Sequence, residues 1–132
     1  MARPASPSLT PHELAIMQVL WRNGEASVAE VRDQLDYSRP LAYTTVATML
    51  TKMEANGQVT RRTEGRVNIY RAAIQETSVN RSMVTDLAGR LFGGDVTQMV
   101  SHLLDGCDVS RDELDRLKSL IHEKEKEVDN RD

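Results

Sequence analysis

The sequence predicts a mainly α-helical protein with one small β-hairpin: three helices and the hairpin come first, and three further helices follow. Three observations carry this reading. Helix-start signals recur ahead of apolar residues at helical spacing, and two short alternating runs flank a Gly-containing turn near residue 65. Charge is also divided unevenly along the 132 residues. Residues 1–75 hold nine Lys/Arg against seven Asp/Glu, a net of +2, whereas residues 76–132 hold eight against thirteen, a net of −5. The formal charge of −3 therefore conceals a mildly basic first half.

Met1 to Ser8 contain Arg3, Pro4 and Pro7 but no apolar run, so they read as a flexible arm and not as a secretory signal. Thr10-Pro11-His12-Glu13 then opens the first helix, with Thr10 as N-cap, Pro11 at the first helical position and Glu13 closing a capping box. Leu14, Met17, Leu20 and Trp21 fall on one face of it, and Asn23-Gly24 ends it. A second capping box, Ser27 to Glu30, starts a short support helix with Val28, Val31 and Leu35 inward. After turn residues Asp36 to Pro40, a third helix is expected from Leu41 to Asn56, stopped by Gly57.

That third helix has two unlike faces. Val46, Met49, Leu50 and Met53 point inward, while Tyr43, Thr44, Thr45, Thr48 and Lys52 cover the outer side and the N-terminal end. Threonine is an indifferent helix former, and three on one outer face suit contact with base edges, where hydroxyls donate or accept and methyls meet thymine methyls. Such threonines also occur on plainly solvated helices, so position in the larger pattern has to decide. Next come Val59 to Thr63 and Val67 to Arg71, two alternating strands around Glu64-Gly65-Arg66. Arg61, Arg62, Arg66 and Arg71 make this hairpin the most basic stretch of the chain, with Glu64 its one opposing charge in sequence. Helix, turn, helix and basic hairpin in this order describe a winged helix-turn-helix, in which phosphate contacts by the hairpin supply affinity and the outer helix face reads sequence.

The C-terminal half carries three apolar stripes. Val79, Met83, Leu87 and Leu91 follow helical spacing, as do Val96, Met99, Val100, Leu103 and Leu104; Ser110 to Glu113 cap a last helix bearing Leu114, Leu117, Leu120 and Ile121. Short amphipathic helices with so few aromatics enclose little core in one copy, so pairing with a second copy is expected. The dimerisation residues are then Met83, Leu87, Leu91, Val96, Met99, Val100, Leu103, Leu114, Leu117 and Ile121. The expected divisions are an arm at 1–8, a winged-helix domain at 9–74, a helical dimerisation domain at 75–125 and a frayed, charged tail at 126–132.

Leu9-Thr10 with Glu13-Leu14 and Met17 through Trp21, Tyr43-Thr44-Thr45-Val46, Asn56-Gly57 before the Arg61-Arg62 hairpin ending at Tyr70, and Leu91-Phe92-Gly93-Gly94-Asp95 occur here in a set order. The ensemble resembles the penicillinase-repressor family, the BlaI/MecI/CopY group, over nearly the whole chain. The resemblance implies a cytoplasmic transcriptional repressor that binds double-stranded operator DNA of dyad symmetry as a homodimer. Base-facing positions carried over are Thr44, Thr45, Ala47 and Thr48, with Tyr43 and Lys52 toward phosphates; several relatives have Arg at the position of Ala47, which would contact guanine. In the best known members a membrane sensor-peptidase answers to β-lactam, and the repressor is cut at an Asn-Phe step in the helix after Gly-Gly-Asp. Here the step reads His102-Leu103. Copper-responsive relatives use a cysteine-rich tail, which the single Cys107 cannot provide.

No cofactor, metal or catalysis is expected. His12, His102 and His122 are far apart in sequence, no phosphate-cradling Gly-rich loop with Lys occurs, and the acidic clusters lack the spacing of a calcium loop. No apolar run reaches the roughly 20 residues that cross a bilayer. Two rival readings share the same sequence features: a winged helix used for protein contact, and a repressor released by a small ligand bound among the dimer helices.

Overall fold

The computed structural model describes residues 9–35 and 40–131; the expected arm at 1–8 and most of the expected turn, 36–39, lie outside the described residues. The chain divides into two compact units, Met1–Leu87 and Ala88–Asp132. In the first, α1 (Pro11–Asn23) leads through the two-residue strand β1 (Ala26–Ser27) into α2 (Val28–Gln34). Then come α3 (Tyr43–Ala55), β2 (Val59–Glu64), β3 (Val67–Ala72) and the start of α4 (Glu76–Phe92).

Both expected capping boxes form. Thr10 Oγ1 accepts from Glu13 N–H while Glu13 accepts from Thr10 N–H, and Ser27 and Glu30 do the same for α2. Reciprocal caps of this kind satisfy two amide donors that a helix start otherwise leaves open. The helices bury much of the stripes that their spacing set apart, Met17 and Leu20 from α1, Val28 and Val31 from α2, and Val46, Leu50 and Met53 from α3; α1 also buries Ile16 and Val19, which lay outside its expected stripe, and leaves Leu14 half-buried. Val59 and Tyr70 of the hairpin and Val79 of α4 close the same core. Trp21 is half-buried at its margin, where the indole N–H donates to Ile74 O at 3.0 Å. Met49 is likewise half-buried and packs on the cluster.

The hairpin acquires a third strand that the sequence reading did not contain. β1 pairs antiparallel with β3, Ala26 opposite Tyr70 and Ser27 opposite Ile69, giving the order β1-β3-β2. At the end of α3, Gly57 has φ 78°, Gly57 N–H donates to Glu54 O at 3.0 Å and Gln58 N–H to Met53 O at 2.9 Å. This pair of bonds is a Schellman turn, which needs a left-handed residue and so favours glycine. It turns the chain from α3 directly into β2.

The second unit contains the end of α4, α5 (Val96–Gly106) and α6 (Arg111–Asp129). Gly93 and Gly94 both have positive φ, 57° and 85°, so α4 is broken off within two residues. Asp95 then caps α5 by accepting from Gln98 N–H. Leu-Phe-Gly-Gly-Asp is thus a helix-turn-helix corner whose glycines and cap each meet a backbone requirement. Ser110 caps α6 in the expected way. The frayed tail expected over 126–132 is corrected: α6 stays helical to Asp129, because Glu and Lys are good helix formers and the pairs Lys124–Glu127 and Lys126–Glu123 lie at helical spacing. None of the described residues from 88 to 131 is buried. No described helix is long and apolar enough to cross a membrane.

Leu50 is fully enclosed in the first unit. Leu50→Ala is expected to lower unfolding stability by about 2–5 kcal/mol, as buried Leu truncations do; urea denaturation of the two proteins measures it, and a loss under 1 kcal/mol would contradict this core.

Candidate nucleic-acid interface

Val46, Leu50 and Met53 recur at i, i+4 and i+7, and their complete burial fixes the rotation of α3 about its axis. Thr44, Thr45, Thr48 and Lys52 are consequently exposed on the opposite side. The three hydroxyls have no hydrogen-bond partner among the described residues, leaving donors and acceptors available to a ligand. Thr51 is exposed on the same helix, but its Oγ1 donates to Ala47 O at 2.9 Å. Ala47 is half-buried and packs against the core, so it sits at the margin of the exposed face.

At the helix start, Tyr43 is about half exposed, and the Arg32 guanidinium of α2 lies 5.8 Å from its ring centroid. That placement suits a cation–π contact and couples the support helix to the first turn of α3. Arg32 also pairs with Asp33 at 2.9 Å.

Strand alternation distributes the hairpin arginines. Arg61 stands opposite the buried Tyr70, hence on the core side of the ribbon, and its Nε lies 3.3 Å from Glu54 of α3. Arg62 stands opposite Ile69 on the other face, the same face as Arg71. There Arg62 Nε and Nη2 donate to the two oxygens of Glu25 at 3.2 and 2.7 Å, while Nη1 donates to Glu64 at 2.9 Å. These hydrogen bonds hold the Glu25 carboxyl below its usual pKa against an opposing desolvation, with the charges of Arg62 and Arg71 adding to the effect. The same bonds push the Arg62 guanidinium up. Arg66 occupies the exposed turn between the strands and has no ion pair among the described residues.

The sequence reading placed one acidic residue against four arginines. Folding corrects that count: Glu25 and Glu54, remote or on another element, join Glu64 at the hairpin. Neither has a local sequence signal, since both approach the arginines only through strand pairing and helix packing. Lys52, flanking the threonine face, and Arg66, at the wing tip, are exposed with no ion pair among the described residues; Arg71 is exposed too, with its charge acting on Glu25.

The residues expected at a dimer contact fall into two groups. Met83 is half-buried against the core of its own first unit. Leu87, Leu91, Val96, Val100, Leu103 and Ile121 are exposed, and Met99, Leu114 and Leu117 half-buried. Val96, Val100, Leu104 and Ile121 line a groove between α5 and α6. His102 and Leu103 lie within α5, with the His102 ring 5.1 Å from Phe92 and Leu103 exposed.

The family model described as penicillinase repressor matches residues 9–123. The penicillinase repressor of Bacillus licheniformis is 26% identical over 117 residues, 89% of this chain and 91% of that protein. The methicillin resistance regulatory protein MecI of Mammaliicoccus sciuri is 19% identical over 112 residues, 85% of this chain and 91% of that protein. The solution structure of the DNA binding domain of the repressor BlaI is 28% identical, covers 57% of this chain and 93% of its own, and superposes with a TM-score of 0.49. With most of its length matched in this way, the chain belongs to the penicillinase repressor family, a family of repressors and not of enzymes.

Proposed function

We propose that this protein represses transcription as a homodimer on an operator of dyad symmetry, with α3 in the major groove and the hairpin against the phosphate backbone. The observation that carries the reading is the outer face of α3, where Thr44, Thr45 and Thr48 are exposed beside Lys52, their hydroxyls without a partner among the described residues. Threonine hydroxyls and methyls read base edges, and Lys52 and Arg66 supply the charge that displaces counterions. The winged-helix half is also the half with positive net charge.

Dimerisation is supported by the second unit. A helical unit without a single buried residue among those described leaves its apolar stripes in water, which a lone copy of about 45 residues cannot sustain. A second copy covers Leu91, Val96, Val100, Leu103 and Ile121 and gives the two-fold relation that a symmetric operator demands. The surplus of acidic residues in this half keeps it off the phosphates. Release by a sensor-peptidase, as in the family's β-lactam-responsive members, would act on α5. His102 and Leu103 sit in an unbroken helix, so cutting there requires local unwinding first.

Gel-shift titration on DNA upstream of the protein's own gene is expected to show binding that weakens steeply with salt. Absent or salt-insensitive binding would sink the repressor reading. Thr45→Ala and Thr48→Ala should relax sequence preference, each costing about 1–3 kcal/mol of discrimination at the base it reads, whereas Arg66→Ala should weaken all DNA alike and reduce the salt slope by about 0.9.

Sedimentation equilibrium is expected to give a dimer for the natural protein and a monomer for Val100→Glu, which would bury a carboxylate in the paired face. The monomer should bind operator more weakly while its first unit stays folded; a monomeric natural protein would refute the proposed assembly.

A further inference from the structure

The arginines of the hairpin divide between two tasks. We propose that Arg62 is a positioning residue, clamping the wing to the corner between α1 and β1, and that it makes no phosphate contact of its own. The inference deepens the DNA-binding reading and rests on it for its affinity measurements.

Sheet order places β3 between β1 and β2, so β2 has no direct ladder with the chain that precedes α2. Arg62 supplies a link across it. It lies in register with Ile69 of β3, and Ile69 with Ser27 of β1, while Glu25 stands two residues before Ser27 and accepts from Arg62 in a bidentate pair. The third guanidinium contact goes to Glu64 at the far end of β2. Nε, Nη1 and Nη2 are all engaged, and the planar fork that allows this is a property lysine lacks.

Two carboxylates around one guanidinium take up its donors and its charge within the protein. A phosphate approaching Arg62 would meet Glu25 and Glu64 and would have to displace both. Arg66, a few residues away in the turn, has no such competitor among the described residues. The clamp also answers a mechanical need. A two-stranded ribbon twists and bends easily, and β1 braces it with only two residues. The Schellman turn holds the hairpin at the α3 end, and the Glu25 pair holds it at the α1 end, so that Arg66 arrives at a defined place.

Hydrogen exchange on the free protein and DNA binding across a salt series test this with Arg62→Gln, Arg62→Lys and Glu25→Gln. Expected are faster amide exchange in β2 and β3 for all three, several-fold weaker DNA binding for all three, and an unchanged slope of log affinity against log salt for Arg62→Gln. Lysine keeps the charge without the fork, so its failure to rescue marks geometry as the cause. A slope reduced by about 0.9 in Arg62→Gln with near-normal binding by Arg62→Lys would overturn the proposal, because that is the signature of one lost phosphate contact. Tighter binding by Glu25→Gln would overturn it too, since the carboxylate would then have been competing with DNA for Arg62. Unaltered exchange removes the clamp without any DNA present, so failure of the natural protein to bind DNA would sink the repressor reading alone and leave the clamp to the exchange data.

Discussion

The burial of Val46, Leu50 and Met53 is the constraint from which the proposed DNA-facing surface follows. Successive residues of a helix are separated by about 100°, so the face that enters the core dictates the face that leaves it. With these three residues enclosed by α1, α2 and the sheet, Thr44, Thr45 and Thr48 have nowhere to point but outward. The same helix ends in the Schellman turn at Gly57, which delivers the chain to Val59, itself buried, and so roots the hairpin beside the helix that it serves. Packing therefore sets the threonine face and the base of the hairpin in one relation, before any ion pair is considered.

Ion pairs act on top of that frame, and they contribute direction more than stability. Arg61 with Glu54 and Arg62 with Glu25 are exposed pairs, a kind that adds little to folding free energy. Their value lies in what they connect: α3 to the core side of the ribbon, and the α1–β1 corner to its other side. The hairpin is therefore less positive than its four arginines suggest. Arg66 in the turn and Arg71 on β3 are its arginines without an ion pair among the described residues.

The two units meet the demand for a buried interior in different ways. The first closes a core from its own three helices, its sheet and the start of α4, with Val79 fully enclosed. The second has well-formed helices, capped by Asp95 and Ser110 and joined by the double-glycine corner, yet leaves leucines and valines uncovered. Local signals suffice to make those helices; only a further surface can make them stable. A dimer therefore suits this half, and in the proposed assembly it would set the spacing of two operator half-sites.

What the sequence determined by itself was everything governed by neighbours in the chain. The capping boxes at Thr10 and Ser27, the stop at Gly57, the inward stripes of α2 and α3 and the alternation of the hairpin all depend on residues within about one helical turn or one strand pair, and each is found in place, whereas α1 buries Ile16 and Val19 beside the expected Met17 and Leu20. The failures share a cause as well. β1 is two residues long and has no periodicity to detect; it is a strand only because Tyr70 and Ile69 lie beside it. Reading the tail by apolar spacing missed that charged, helix-forming residues continue α6. The tertiary structure alone decided which carboxylates meet the arginines, since Glu25 stands 37 positions from Arg62 and no local rule spans that distance. It thereby decided that four arginines of one hairpin occupy two faces and a turn. Periodicity assigns a residue to a face, but its electrostatic partner is chosen by the packing of elements that the periodicity cannot see.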